Sequence, residues 1–129
     1  VVERVGDLLN RRFAKALNGA RILVLGVAYK QDIDDYRESP AIRVIEGLRK
    51  EGAEVVFYDP FVAKYRGKGE WFEGEKALSA ELLEGADAVV ITTAHTTVDY
   101  GFVQQHAKAI FDTKNVTKSI ADRDNIEVL

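Results

Sequence analysis

The apolar residues of this chain fall into short continuous runs that alternate with stretches in which they recur every three or four residues. The continuous runs predict strands buried on both faces, as in a parallel sheet. These runs are 21–25, 54–58, 88–93 and 109–112, and the tail 120–129 is compatible with an added edge strand. The helical spacing predicts helices at 2–17, 39–51, 75–83 and 99–106.

Strand and helix therefore alternate along the chain. This order predicts a doubly wound α/β fold with a mainly parallel, Rossmann-like sheet, helices on both faces and an N-terminal lead-in helix. Ser39 suits the N-cap of the second helix and Pro40 its first turn, and Gly52 would end it. The apolar stripe of the lead-in helix could pack on this domain's own sheet or on a preceding domain.

The stretch 61–69 is interpreted as an irregular loop. Its basic residues, Lys64, Arg66 and Lys68, are expected to lie in solvent. Trp71 and Phe72 follow in a short segment to which the pattern assigns no element.

Composition narrows the class of protein. The 129 residues suit one domain with a real core, and 47% of them are hydrophobic. A formal charge of −3 argues against nucleic acid as the main partner, and no apolar stretch approaches the roughly 20 residues of a membrane span. The lack of cysteine excludes disulfides, thiolate metal sites and a cysteine nucleophile. Because methionine is also absent and the chain starts at Val1, we expect a piece of a longer protein.

Charged residues cluster beyond the first predicted strand, where open α/β sheets bind ligands. This loop carries Lys30, Arg37 and an acidic group formed by Asp32, Asp34 and Asp35. Lys30 could hold a phosphate or a sugar hydroxyl, or it could pair with Asp32 or Asp34. Arg37 could fork onto a pyrophosphate or a carboxylate, or bridge to Asp34 or Asp35. The acidic spacing does not fit a calcium loop, so we interpret the aspartates as solvated turn residues.

Further polar groups follow the other predicted strands at the same edge. His95 could bind a ligand or take part in proton transfer, although a capping or loop histidine is the commoner case. The segment 112–115, which includes Lys114, should lie at the same rim. His106 is interpreted as a surface residue. The convergence of these groups predicts a ligand site more strongly than any one of them.

The dinucleotide fingerprint is incomplete. Of the pattern Gly-x-Gly-x-x-Gly, the chain has only Gly26, which argues against ordinary NAD binding by this domain. Asp59 ends the second strand where a ribose-binding acid would stand, but it is more often a turn-former before Pro60.

The segment GVAYKQDIDDYRESPA, 26–41, resembles the start of the C-terminal UDP-binding domain of the nucleotide-sugar 6-dehydrogenases, the UDP-glucose/GDP-mannose dehydrogenase family. The resemblance continues through 52–55, 58–60, 85–91 and 112–115. The segment from Thr93 to His95 is more similar to the UDP-N-acetylhexosamine branch than to the glucose branch.

The resemblance implies a cytoplasmic, homo-oligomeric enzyme of polysaccharide biosynthesis. Such an enzyme oxidises the C6 alcohol of a UDP-sugar to a uronic acid with two NAD+, and its catalytic cysteine and most of its NAD site lie in other domains. It also implies that Tyr29, Lys30 and Lys114 bind the UDP-sugar and that Arg37 reaches NAD. Many members have arginine where Lys114 stands, which puts that ligand in doubt because lysine lacks the bidentate fork.

The domain organisation that follows has two parts: 1–18 would be the end of a linking helix and 19–129 the UDP-sugar-binding domain. No residue of this chain is expected to be catalytic. Two other classes stay open. One is a stand-alone, non-catalytic nucleotide-binding module. The other is a flavodoxin- or receiver-like signalling domain with the acidic cluster as its site. It would need a phosphoacceptor aspartate at a strand end with a divalent ion nearby, whereas the acids here follow Lys30 in a loop.

Overall fold

The computed structural model describes all 129 residues, with seven strands and four helices. In chain order the elements are α1 (Val2–Phe13), β1 (Arg21–Leu25), α2 (Pro40–Lys50), β2 (Glu54–Tyr58), β3 (Lys64–Gly67), β4 (Glu70–Glu73), α3 (Ala80–Gly85), β5 (Ala88–Ile91), α4 (Tyr100–His106), β6 (Ile110–Asp112) and β7 (Ile126–Val128). None of the helices is both long and apolar enough to cross a membrane.

Five strands form one parallel sheet in the order β2-β1-β5-β6-β7. The chain builds outward from β1 to β2 and then returns to lay β5 on the other side of β1. That reversal makes the border between β1 and β5 a topological switch point, beyond which the chain continues from the two strands to helices on opposite faces of the sheet. The predicted parallel sheet is confirmed, and the tail supplies its edge strand β7.

Side chains of β1 alternate between two apolar layers. Ile22 and Val24 pack with residues of α1 and α2, whereas Leu23 and Leu25 pack with residues of α3 and α4. Because both faces of the strand are covered, its sequence is continuously apolar rather than alternating. The predicted doubly wound arrangement is confirmed.

The helix α2 begins as its sequence predicts. Ser39 is the N-cap, its Oγ accepts a hydrogen bond from the backbone N–H of Ala41 at 3.2 Å, and Pro40 is the first helical residue. This cap sets the helix just beyond the loop that follows β1, so the position of that loop is fixed at its far end.

The first helix is shorter than predicted. It ends at Phe13 instead of Leu17, because Ala14 adopts a left-handed backbone conformation with φ 52° and donates its N–H to the carbonyl of Asn10 at 3.0 Å. Apolar spacing alone does not reveal such a cap, since alanine is a strong helix former.

The apolar stripe of α1 packs on the sheet of this chain. Val5, Leu8 and Leu9 have no exposed surface and belong to the same apolar cluster as the sheet residues. On its other flank α1 is bound to the C-terminal tail, where Arg11 donates to the carboxylate of Glu127 at 2.8 Å.

Two other predicted boundaries were wrong. The third helix begins at Ala80 after the N-cap Ser79, rather than at Glu75, because the N–H of Glu75 donates to the carbonyl of Phe57 at 2.8 Å. That bond is non-helical and holds the segment beside β2. The strand β5 ends at Ile91 rather than at Thr93, because the sheet ladder gives way there to loop contacts.

The prediction of an irregular loop at 61–69 was also wrong, because β3 and β4 form an antiparallel hairpin. Lys68 and Gly69 have φ values of 50° and 80°, as in a type I′ turn. Tyr65 pairs with Phe72 on the inner face of the hairpin, where it is only 1% exposed. The charged residues that alternate with Tyr65 concealed a strand with one buried face.

Candidate functional site

The loops that follow β1, β2, β5 and β6 meet at one edge of the sheet, called here the carboxyl edge. Gly26 marks the closest approach of the first and third of these loops. Its φ is +97°, and a Cβ atom there would lie 2.5 Å from the Cβ of Thr93. The Thr93 hydroxyl donates to the carbonyl of Ala28 at 2.9 Å. Only glycine fits a left-handed position with a neighbouring backbone this close.

The Asp59 carboxylate joins the loop after β1 to the loop after β2. Its Oδ2 accepts hydrogen bonds from the backbone N–H groups of Val27 at 2.8 Å and Ala28 at 3.0 Å. Its Oδ1 accepts from Phe61 at 2.8 Å and from Val62 at 3.1 Å. Asp59 thus forms the turn after β2 and is not free to bind a ribose. The sequence had left both roles open.

His95 extends the same network to the loop after β5. Its ring has no exposed surface, and Nε2 lies 2.8 Å from Oδ2 of Asp59 while Nδ1 lies 2.8 Å from the backbone nitrogen of Asp32. The half-buried phenol of Tyr100 donates to the carbonyl of His95 at 2.9 Å, and its partial burial raises the pKa of that phenol. Of the roles that the sequence left open for His95, a loop-bridging role fits these contacts.

The side chain of Asp32 makes further hydrogen bonds to the loop after β5. Its Oδ1 accepts from the backbone N–H of Thr96 at 2.9 Å and its Oδ2 accepts from the Thr96 hydroxyl at 2.7 Å. These hydrogen bonds, the one from the hydroxyl first, lower the pKa of Asp32. Sequence reasoning missed Thr96. Its position directly after His95 at a strand end was the available signal.

Arg37 pairs with Asp35. The guanidinium donates from Nε to Oδ1 at 3.0 Å and from NH2 to Oδ2 at 2.9 Å, and these bonds lower the pKa of Asp35 to about 2. The Arg37 side chain is nevertheless 84% exposed. Together with Tyr29 and Glu38 the pair lines an open depression of about 340 Å³.

Lys30 forms no ion pair and no side-chain hydrogen bond, although three aspartates share its loop. Asp32 and Asp35 are engaged by Thr96 and Arg37 instead. The alternative that Lys30 pairs with Asp32 or Asp34 is therefore not realised. Tyr29 beside it is 52% exposed. A free ammonium next to an exposed phenol leaves both groups available to a ligand.

Lys114 lies at the same edge, after β6. Its N–H donates to Oδ1 of the buried Asp112 at 3.0 Å, and Oδ2 of Asp112 accepts from Thr117. This turn holds the backbone of Lys114 while its side chain is exposed. Asn115, which follows, has a left-handed φ of 56°. The structure thus places Tyr29, Lys30 and Lys114 on loops of one edge, as the sequence predicts.

The carboxyl edge does not fit a dinucleotide bound in the Rossmann manner. Ala28 and Gln31 stand where the second and third glycines would be. The N–H of Ala28 is used by Asp59, so it cannot face a pyrophosphate. The exposed side chain of Arg37, at the same edge, stays accessible to a cofactor.

One remaining candidate, His106, lies apart from this network. His106 is a partly exposed residue of α4 that pairs with Glu84 at 2.8 Å. No group of three or more histidine, cysteine, aspartate or glutamate residues is arranged to hold a metal ion.

Known proteins match this chain over the part that contains the carboxyl edge. The stretch 23–119 matches the family model for the UDP-glucose/GDP-mannose dehydrogenase family, UDP binding domain. The UDP-glucose 6-dehydrogenase AglM of Haloferax volcanii is 44% identical over 92 residues, which are 70% of this chain and 21% of that protein. A UDP-N-acetyl-D-mannosamine dehydrogenase of Pyrococcus horikoshii is 40% identical over 105 residues, which are 77% of this chain and 22% of that protein.

Solved structures agree with this assignment. The UDP-D-ManNAc dehydrogenase of Pyrococcus horikoshii matches 96% of this chain with a TM-score of 0.76 and 30% identity. The UDP-N-acetyl-mannosamine dehydrogenase Cap5O of Staphylococcus aureus matches 98% with a TM-score of 0.74 and 30% identity. The chain covers 28% of each of these structures. Because the family match runs from β1 past β6, this chain belongs to the UDP-glucose/GDP-mannose dehydrogenase family, in the part that corresponds to its UDP binding domain.

Proposed function

We propose that this chain binds the nucleotide part of a UDP-sugar at its carboxyl edge. It would do so within a cytoplasmic, homo-oligomeric, NAD-dependent 6-dehydrogenase of polysaccharide biosynthesis, which oxidises the sugar C6 alcohol to a carboxylate with two NAD+. The observation that carries the proposal is the free ammonium of Lys30 at the switch point of the sheet, inside the segment that matches the UDP binding domain. Relatives named for glucose and for N-acetylmannosamine both match, so the proposal extends to the class of UDP-sugars.

Three exposed side chains at the edge would contact the ligand in this proposal. Lys30 would donate to phosphate or sugar oxygens, and Tyr29 would line the pocket beside it. Lys114 would add a second positive charge from the loop after β6. Two ammonium groups suit a diphosphate because charge-assisted hydrogen bonds are about twice as strong as neutral ones.

Arg37 is proposed to contact NAD. Its guanidinium is exposed, and an anion could compete with Asp35 for the fork of N–H groups. When bound, NAD supplies the hydride acceptor. In this proposal other domains hold most of the NAD and provide the catalytic cysteine, since this chain has no cysteine.

The proposal is tested by an amide NMR titration of this chain with UDP, with ADP and NAD+ as controls. Shifts specific to UDP, confined to 28–37 and 112–115, are the expected result. Equal shifts with ADP would mean that phosphate is recognised without the base. An absence of shifts at millimolar UDP would contradict the proposal for this chain.

Substitution of Lys30 gives the residue-level test. We expect Lys30→Ala to weaken UDP binding by about tenfold or more, because a hydrogen bond to a charged group contributes about 1.5–3 kcal/mol. Lys50→Ala is the matched control: Lys50 is an exposed lysine at the end of α2, away from the carboxyl edge. Equal affinities for the two variants would remove Lys30 from the site.

A further inference from the structure

His95 is enclosed at the carboxyl edge, whereas Tyr29 and Lys30 of the neighbouring loop are exposed. Its Nδ1 lies 2.8 Å from the backbone nitrogen of Asp32, and its Nε2 lies 2.8 Å from Oδ2 of Asp59. A backbone N–H can only donate, so Nδ1 accepts and the ring proton sits on Nε2, which donates to Asp59. The imidazole therefore connects a buried carboxylate of one loop to the backbone of another.

The position of the ring is itself well defined. The Phe61 ring lies against it with a centroid distance of 4.9 Å, and Tyr100 donates to the His95 carbonyl at 2.9 Å. Phe61 thus contacts the ring, while Tyr100 holds the backbone of the same residue. A ring held in this way can in turn hold the backbone of Asp32 in a defined position.

The loop that carries Tyr29 and Lys30 has two anchors. At its base the N–H of Tyr29 donates to the carbonyl of Asp35 at 2.7 Å. At its tip Asp32 binds His95 and Thr96, and it does so in a left-handed conformation with φ 60°. Aspartate adopts that conformation more readily than most residues, and here hydrogen bonds with His95 and Thr96 hold it. Lys30 lies between the two anchors, and its side chain forms no ion pair or hydrogen bond.

We propose that His95 is a positioning residue for nucleotide-sugar binding, because its Nδ1 holds Asp32 and thereby orders the loop that presents Tyr29 and Lys30. The inference rests on the proposed function, since it takes these two residues to meet the nucleotide. His95 itself is buried and does not touch the ligand.

The test uses two substitutions that replace the imidazole with a side-chain amide. Each is designed to keep only one of the two hydrogen bonds that the ring makes. His95→Asn places a carbonyl oxygen near the position of Nδ1, so it can still accept from Asp32. His95→Gln extends to the position of Nε2, so it can still donate to Asp59 but offers nothing to Asp32. Amide relaxation and hydrogen exchange at Lys30 and Asp32 report loop order, UDP titration reports affinity, and urea unfolding reports stability.

We expect His95→Gln to mobilise the loop and to weaken UDP binding about tenfold, as for one lost hydrogen bond, whereas His95→Asn stays within about threefold of the parent. If both variants lose UDP affinity equally, and only in proportion to their loss of stability, His95 is a purely structural residue and the proposal is overturned. Unchanged loop order in both variants would overturn it as well.

Two further outcomes remain decisive. If neither variant folds, the nitrogen-15 shifts of His95 in the unmodified chain still identify its tautomer, and a proton on Nδ1 would overturn the proposal. If the unmodified chain does not bind UDP, the proposed function fails. The loop-order measurements, which need no ligand, then decide separately whether His95 positions the loop.

Discussion

At the scale of the residue, the Asp59 carboxylate is the centre of the carboxyl edge. It accepts hydrogen bonds from Val27, Ala28, Phe61 and Val62 and from the His95 ring, and the residue is only 5% exposed. A buried charge is stable only when its lone pairs are satisfied. Here backbone N–H groups from two loops and the imidazole of a third satisfy them.

Asp59→Asn should therefore destabilise the fold by about 3 kcal/mol, because the amide nitrogen would face N–H donors that need an acceptor. Urea unfolding measures the change. Asp34→Asn is the control, since Asp34 is exposed and makes no hydrogen bond, and its effect should stay within about 0.5 kcal/mol. Similar losses in the two variants would mean that Asp59 is not the organising group.

The pair of Asp35 and Arg37 makes a prediction about pH. Hydrogen bonds from Arg37 lower the pKa of Asp35 from its ordinary value of 3.8 to about 2. Because the folded value is the lower one, the pair favours the folded state above about pH 4, and this contribution disappears as the pH falls toward 2.

Arg37→Ala should return the pKa of Asp35 toward 3.8, as measured by carbon-13 NMR titration of the carboxyl group. Arg43→Ala, which removes an exposed arginine of α2 without an ion-pair partner, should leave that pKa unchanged. A pKa that stays near 2 without the Arg37 side chain would show that the backbone N–H of residue 37, which also donates to Asp35, or another group holds the carboxylate.

At the scale of the element, the hairpin of β3 and β4 has two unlike faces. Tyr65 on the inner face stacks on Phe72 at 5.2 Å between ring centroids and lies 5.2 Å from the Phe57 ring. Trp71 on the outer face is 53% exposed beneath the cations of Lys64 and Arg66. The inner face fastens the hairpin to β2, whereas the outer face contributes little burial.

Tyr65→Ala should reduce the free energy of unfolding by about 3 kcal/mol through the cavity it leaves, whereas Trp71→Ala should reduce it by less than about 1 kcal/mol. Both changes remove an aromatic ring from the same hairpin, so each serves as the other's control in thermal or urea unfolding. The reverse order of effects would mean that the hairpin packs through its basic face.

At the scale of the whole molecule, the two ends of the chain lie side by side. Arg4 and Arg11 of α1 contact Glu127 of the edge strand β7, and Arg4 also lies over the ring of Phe111. The hydrogen bond from Arg11 lowers the pKa of Glu127. With its apolar stripe buried on the sheet, α1 should unfold together with the rest.

Leu8→Ala should accordingly cost about 3 kcal/mol of stability within a single unfolding transition, because Leu8 has no exposed surface. Phe13→Ala is the control at the end of the same helix, where the side chain is 39% exposed, and should cost less than about 1 kcal/mol. The division into 1–18 and 19–129 stays a prediction. A separate early transition for α1 would support it.

The carboxyl edge was predictable only in part. Tyr29, Lys30 and Lys114 could be assigned to one rim because parallel strands all end on the same side. The partner of Arg37 could not be chosen, because Asp34 and Asp35 both lie within three residues of it and only the loop conformation brings Asp35 into the fork. The hairpin was not predicted, because its charged residues do not reveal that the opposite face of the strand is buried.

By itself, the sequence determined the parallel strands and the start of α2. The continuous apolar run of β1 and the pair Ser39-Pro40 each lie within a few adjacent residues, so the preference for a buried strand and for a helix start is visible in the sequence alone. Only the tertiary structure decided that His95 meets Asp59 and Asp32. Those partners lie 36 and 63 positions away, and a hydrogen bond at such a separation exists only once the sheet order has brought three loops together.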